Sequence, residues 1–323
     1  DGGTGGDQYL VSFGRLNTAI QINDTGLGLL DSDTVAIQPL SRDYLLSVGD
    51  QYVSGAKAGL GEQRANFTNG IENLTVDAKS NGGSLIQIAE PISFAGDVKL
   101  LARQSIIDNT IDSGNLRIES TLGVNIAADV NAHANGNVTV LVNGGDITVT
   151  EDVMSSAGSG FTGDGGGLVH LFTNGGSVLT GAGDGGPGRI LAAEGSLLLR
   201  GTNGSIGTLN TPIYSTISIM AANTTGSGLI NIHESDGAVV STIASIEGIK
   251  TTGGILNIFN DANELRVVSP VQLNGGNGTI TSDVLQINAD VSSPGGNLFL
   301  RPEGDATVMS IGDDVTVHLT ERY

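Results

Sequence analysis

The side chains best suited to proton transfer or metal binding are four histidines, His133, His170, His233 and His318, and one adjacent carboxylate pair, Asp313-Asp314. Two carboxyl groups can divide the general acid and general base roles when their environments differ. Histidines hold a metal when several converge, and none here has a metal-ligating neighbour at short spacing. Three of the four sit between apolar residues, the pattern of a strand histidine facing solvent. Asp313-Asp314 lies close to the C-terminal end and reads as a polar turn between strands. Cysteine is absent, which excludes disulfides, thiolate metal sites and cysteine nucleophiles. The glycine-rich segments Gly163-Asp164-Gly165-Gly166-Gly167 and 181–188 do not form a phosphate cradle, since no Gly-Lys-Ser/Thr follows and no helix opens there. Asp164 and Asp184 within them are at most weak cation contacts. The sequence therefore points away from catalysis, and no catalytic residue is assigned.

The elements that carry these residues are short. Apolar-polar-apolar runs recur along the chain, among them Leu74-Thr75-Val76, Val98-Lys99-Leu100, Leu116-Arg117-Ile118, Val138-Thr139-Val140, Val169-His170-Leu171, Leu229-Ile230-Asn231-Ile232 and Ile255-Leu256-Asn257-Ile258. A period near two over three to five residues predicts strands. Corners rich in Gly and Asn separate them: Asn143-Gly144-Gly145, Asn174-Gly175-Gly176, Asn203-Gly204, Gly253-Gly254, Asn274-Gly275-Gly276 and Gly295-Gly296. These residues accept the positive φ of a tight corner. The best helical stretch lies in 56–66, and its glycines spoil it. Residues 155–167 and 179–189 read as glycine-rich loops.

Composition narrows the architecture. Glycine supplies 50 of 323 residues, tryptophan none, and aromatics only 4%. A core without large rings must be filled by Val, Ile, Leu and Ala in many thin layers. Stacked strand-corner-strand units suit that better than a two-sheet sandwich, because aliphatic side chains then form ladders and corner Asn and Ser residues share hydrogen bonds between layers. The expectation is an all-β chain, with a β-rich N-terminal segment over 1–68 and a parallel β-solenoid over 69–323. Layers of about 20–25 residues at ~4.8 Å spacing give a rod on the order of 60 Å long.

The net charge is −20 with dispersed Lys and Arg, which argues against nucleic acid as a partner and against anionic membranes. No apolar run reaches the ~20 residues of a membrane span, so membrane insertion is not expected. Seven Asn-X-Ser/Thr sequons, at Asn23, Asn66, Asn73, Asn137, Asn203, Asn223 and Asn277, are compatible with glycosylation. The first residue, Asp1, suggests a processed or partial product, and the strand-like last residues suggest a chain that continues or stacks end to end.

Three stretches carry resemblances. Gly2-Gly3-Thr4-Gly5-Gly6-Asp7-Gln8-Tyr9-Leu10 resembles the calcium-binding nonapeptide of RTX toxins. The resemblance implies calcium as a ligand, with Asp7 supplying the carboxylate. Asn69-Gly70-Ile71-Glu72-Asn73-Leu74-Thr75-Val76-Asp77-Ala78 resembles a phrase of giant repetitive bacterial surface proteins. From about residue 80 the Gly-Gly-strand cadence is similar to that of filamentous haemagglutinin-like exoproteins. That similarity implies a right-handed parallel β-helix exported to the cell surface. Asp313-Asp314 is similar to the paired aspartates of polygalacturonases, but the Gly-His-Gly and Arg-Ile-Lys motifs of that family are missing. The combined expectation is a non-enzymatic extracellular rod, structural or adhesive, partnered by itself or by surface glycans. The alternative is a carbohydrate-binding or carbohydrate-cleaving β-helix module.

Overall fold

The apolar-polar-apolar runs become strands whose apolar residues alternate buried and polar residues face out. A computed structural model describes residues 6–14, 19–23, 32–58, 60–68, 71–79, 83–133, 136–155, 167–183, 186–304 and 308–311. The fold is all-β, with no helix among these residues. Almost every pairing is parallel and joins a strand to one in a later pass of the chain.

The register is best seen in one column of side chains. Val11, Ile37, Val76, Leu100, Ile118, Val140, Leu171, Leu199, Ala222, Ile249, Val271 and Val291 are partners in turn. All are buried. In a parallel pair like faces align, so one aliphatic position repeated per pass makes a continuous core. The same passes pair on two further faces. Val98 pairs with Leu116, Ile107 with Ile126, and Ile111 with Val130, at offsets of 18, 19 and 19 residues. Over this pass the register therefore advances by nearly the same number of residues at all three pairings. Other passes are longer, such as the 31 residues from Val138 to Val169.

The corners set the closest approach between passes. Gly145, Gly176, Gly204, Gly228, Gly254, Gly276 and Gly296 form a column in which each residue after the first lies over the carbonyl oxygen of the one before. A Cβ on any of these six would fall far inside contact distance of that oxygen. Several of these glycines follow a residue at positive φ, as at Gly144, Gly175, Gly253, Gly275 and Gly295, and Asn203 takes φ 57° in the same role. Hydroxyls tie the column to the core: Thr173 donates to the Gly145 carbonyl at 2.6 Å and Ser293 to that of Gly276 at 2.5 Å.

The longest exception to parallel pairing among the described residues lies between 45 and 67; a two-residue antiparallel pair also joins Thr242–Ile243 to Ile246–Glu247. Leu45–Gly49, Tyr52–Lys57 and Leu60–Phe67 form an antiparallel meander. Its outer strands pair in parallel with Leu85–Ile88 and Ile20–Ile22. The doubtful helix at 56–66 is thus two strands. On the opposite face Thr34–Pro39 pairs directly with Asn73–Asp77, so the ladder crosses 68/69 without a break. Of the two glycine-rich loops, 156–166 lies outside the described residues, and the second contains a two-residue antiparallel pair, Ala182–Gly183 with Gly186–Pro187.

Candidate functional site

The outward residue of each apolar-polar-apolar run forms rows along the surface, and two rows bring chemistry together. In the first, Thr75, Lys99, Arg117, Thr139 and His170 are successive partners. They run beside a groove of about 610 Å³ that crosses these strands near their N-terminal ends. The other wall is a hydrogen-bonded ladder at the corner. Asp97 N donates to Asn73 Oδ1 at 2.8 Å, Asn115 Nδ2 to Asp97 Oδ1 at 2.8 Å, Asn137 N to Asn115 Oδ1 at 2.9 Å and Leu168 N to Asn137 Oδ1 at 2.8 Å.

Charges in this region are unequal in their pairing. Arg117 binds Glu119 at 2.7 Å, and Lys79 binds the same carboxylate at 3.0 Å. Partial burial works to raise the Glu119 pKa, but the hydrogen bonds from Lys79 and Arg117 outweigh it and hold the carboxyl below its usual range. The Lys99 ammonium makes no ion pair or hydrogen bond among the described residues. His170, further along the row, is lowered to about 4 by burial and by the cations Arg200 and Arg117. Its Nε2 is buried without a hydrogen-bond partner among the described residues. It is a half-buried imidazole on the outward side of its strand, kept neutral at the end of a cationic strip.

The second row is aromatic. Tyr214, His233 and Phe259 are successive partners. Ring centroids are 5.2 Å apart for Tyr214 and His233 and 4.9 Å for His233 and Phe259. His233 Nε2 lies 2.7 Å from Asp261 Oδ2. A similar pair, His133 Nδ1 and Asp112 Oδ1, is 3.0 Å apart. No described hydroxyl is hydrogen-bonded to either imidazole, so neither pair extends to a nucleophile.

One acid stands apart, inside the core beneath the aromatic row. Glu234 is fully buried. It accepts from Ser215 Oγ at 2.5 Å and from the backbone N–H of Ile217 at 3.2 Å. Burial raises its pKa to about 8, and its hydrogen bond with the Asp236 side chain works in the same direction.

Asp7 sits at the entry to the Gln8–Phe13 strand. Its N–H donates to Asp33 Oδ1 at 2.7 Å, and its carbonyl accepts from Thr34 N at 2.9 Å. Residues 1–5, which hold the first four residues of the nonapeptide, lie outside the described residues, as do Asp164, Asp184, Asp313, Asp314 and His318. Among the described residues no group of three or more His, Asp or Glu is placed to hold a metal ion.

Sequence reasoning missed both rows and Glu234. The signal was present: aligning the polar residue in the middle of each run places Thr75, Lys99, Arg117 and Thr139 in one register, and Tyr214, His233 and Phe259 in another. No helix among the described residues is long and apolar enough to cross a membrane. Comparison with protein families, with curated proteins and with solved structures finds no match. The functional reading therefore rests on the residues themselves.

Proposed function

We propose that the chain is a stretch of parallel β-solenoid that serves as a stiff extracellular rod, structural or adhesive, with no catalysis of its own. The observation that carries this reading is the near-equal register offset on three faces over the passes from Val98 to Val153, together with one aliphatic column that continues through the later passes. A chain that circles one core at a fixed step grows along an axis, and its stiffness comes from the backbone ladders. The eleven steps from Val11 to Val291 at ~4.8 Å correspond to roughly 50 Å. Long rows of outward side chains suit contact with an extended surface better than closure around a small substrate.

Self-association belongs to this reading. A parallel ladder of this kind can be extended by strands of a second copy. Calcium at the Asp7 turn is a second element of it. Electron microscopy of the purified protein, with and without a calcium chelator, tests the whole. Rods or filaments of one narrow width are the expected result, and shortening on chelation would tie calcium to assembly. Particles as broad as they are long would sink the rod.

A further inference from the structure

We infer that the groove beside Lys99 and Arg117 binds an acidic polysaccharide laid along the stacking direction. This inference rests on the adhesive reading above and names the ligand class for it. Lys99 and Arg117 are register partners on adjacent parallel strands, so their side chains leave the sheet about one strand spacing, ~4.8 Å, apart. Thr75 and Thr139 continue the row on either side. The result is hydroxyl, ammonium, guanidinium, hydroxyl, repeated at one spacing along a groove of about 610 Å³. A sugar chain stretched along the groove advances by a similar step per residue, so successive rings meet successive side chains.

Charge decides between neutral and acidic sugars. The molecule carries a net charge of −20, yet Lys99 has no anionic partner among the described residues, and Arg117 shares Glu119 with Lys79. An uncompensated ammonium next to a guanidinium leaves positive charge at the centre of the groove. Asp97, the acid in the groove lining, has its Oδ1 engaged by Asn115 Nδ2. Elsewhere the acidic surface repels polyanions, which confines such a ligand to this strip. The shared chemistry is a regularly spaced anionic group on a glycan, either a uronate carboxylate or a sulfate ester.

Affinity electrophoresis of the full chain through gels containing polygalacturonate, dextran sulfate or neutral dextran tests this. The expected result is retardation by one or both polyanions, none by dextran, and weakening as salt rises. Retardation by polygalacturonate assigns the carboxylate, and retardation by dextran sulfate alone assigns the sulfate ester. Lys99→Gln should weaken binding about tenfold and Lys99→Gln/Arg117→Gln should abolish it, while Lys250→Gln on an exposed strand elsewhere leaves it unchanged. Matching melting curves show that these surface variants fold. No retardation by either polyanion, equal retardation by dextran, or undiminished binding in the double variant would overturn the inference. None of these outcomes alters particle shape, so microscopy of the same samples judges the rod separately.

Discussion

The molecule is built in two ways on either side of about residue 95. In the first region the core contains rings: Phe13, Tyr44, Phe67 and Phe94 are all buried. Beyond it every apolar residue in the described buried core is aliphatic or methionine. The meander explains the difference. It inserts Tyr52–Lys57 and Leu60–Phe67 into one face while the opposite face advances directly from Thr34–Pro39 to Asn73–Asp77. The two faces then need different numbers of strands to cover one core, and bulky rings fill the extra space. Gly55 makes room for one of them, since a Cβ there would lie 2.7 Å from Phe13 Cδ2. In the later region the faces keep step, the layers are thin, and the glycine column rather than side-chain bulk sets how closely passes approach. The lesson is that spacing is limited by side chains in one region and by backbone in the other.

The strongest way to break this contrast is a methyl group at each kind of glycine. Gly204→Ala would press Cβ into the Gly176 carbonyl oxygen, which is held in place by the ladders on both sides. Neither partner can yield without moving a pass of backbone, so the expected loss exceeds ~3 kcal/mol. Gly55→Ala meets a ring that can turn, and should cost about 1–2 kcal/mol. Thermal and urea unfolding followed by circular dichroism would show a large fall in midpoint for the first and a small one for the second. Equal falls would erase the distinction between the regions.

An exchange of ring and aliphatic side chains probes the same difference from the core. Phe13→Ala should cost about 3–5 kcal/mol through the cavity it leaves. Leu171→Phe, in a thin layer between Val140 and Leu199, should cost about 1–3 kcal/mol through overpacking. If Leu171→Phe were neutral, the later layers would have the slack assigned only to the first region.

Much of this was legible beforehand, and the illegible parts have physical causes. The runs around Leu74, Val98, Leu116 and Val138 are strands with the predicted faces, because burial on one side imposes period two wherever it occurs. The corners Asn174-Gly175-Gly176 and Asn274-Gly275-Gly276 could be read because glycine is needed there for φ and for close approach alike. The meander escaped notice because Gly55-Ala56-Lys57 has neither a strand-like alternation nor a helical stripe, and its strands are recognised only from their antiparallel neighbours. Basic residues looked dispersed because Lys99 and Arg117 are 18 positions apart, and offsets that vary from 18 to 45 residues hide which positions become neighbours. Glu234 escaped notice although it shares the inward parity of Ile230 and Ile232, because a carboxylate is rarely placed at a core position.

Among the described residues Glu234 is the one buried acid of the aliphatic region, and it makes stability there depend on pH. Its folded pKa is raised from 4.5 to about 8. The folded state therefore holds a proton that the unfolded chain releases above about 4.5. The stabilising contribution is full below that pH, shrinks as pH rises, and is lost once pH passes about 8. Glu234→Gln keeps an acceptor for Ser215 and removes the ionisation. It should flatten the decline in melting temperature between pH 5 and 8 and stabilise the protein at pH 8 by roughly 2–4 kcal/mol. An unchanged slope would mean that water reaches the carboxylate.

The smallest effect expected concerns the corner ladder, where the two regions differ in burial. Asp33, which accepts from Asp7 N, is fully buried, whereas Asn137, which accepts from Leu168 N at 2.8 Å, is exposed. When an exposed acceptor is removed, water takes its place, so Asn137→Ala should cost only about 0.5–1 kcal/mol. Removing the buried acceptor with Asp33→Ala leaves the Asp7 N–H to find a new partner in a dry site, at a cost of about 1–3 kcal/mol. Hydrogen exchange at the two donor amides separates these cases at single-residue resolution. The Leu168 amide should exchange faster in Asn137→Ala while the melting point barely moves. In Asp33→Ala both should change together, because a corner sealed by burial opens only when the passes it joins come apart.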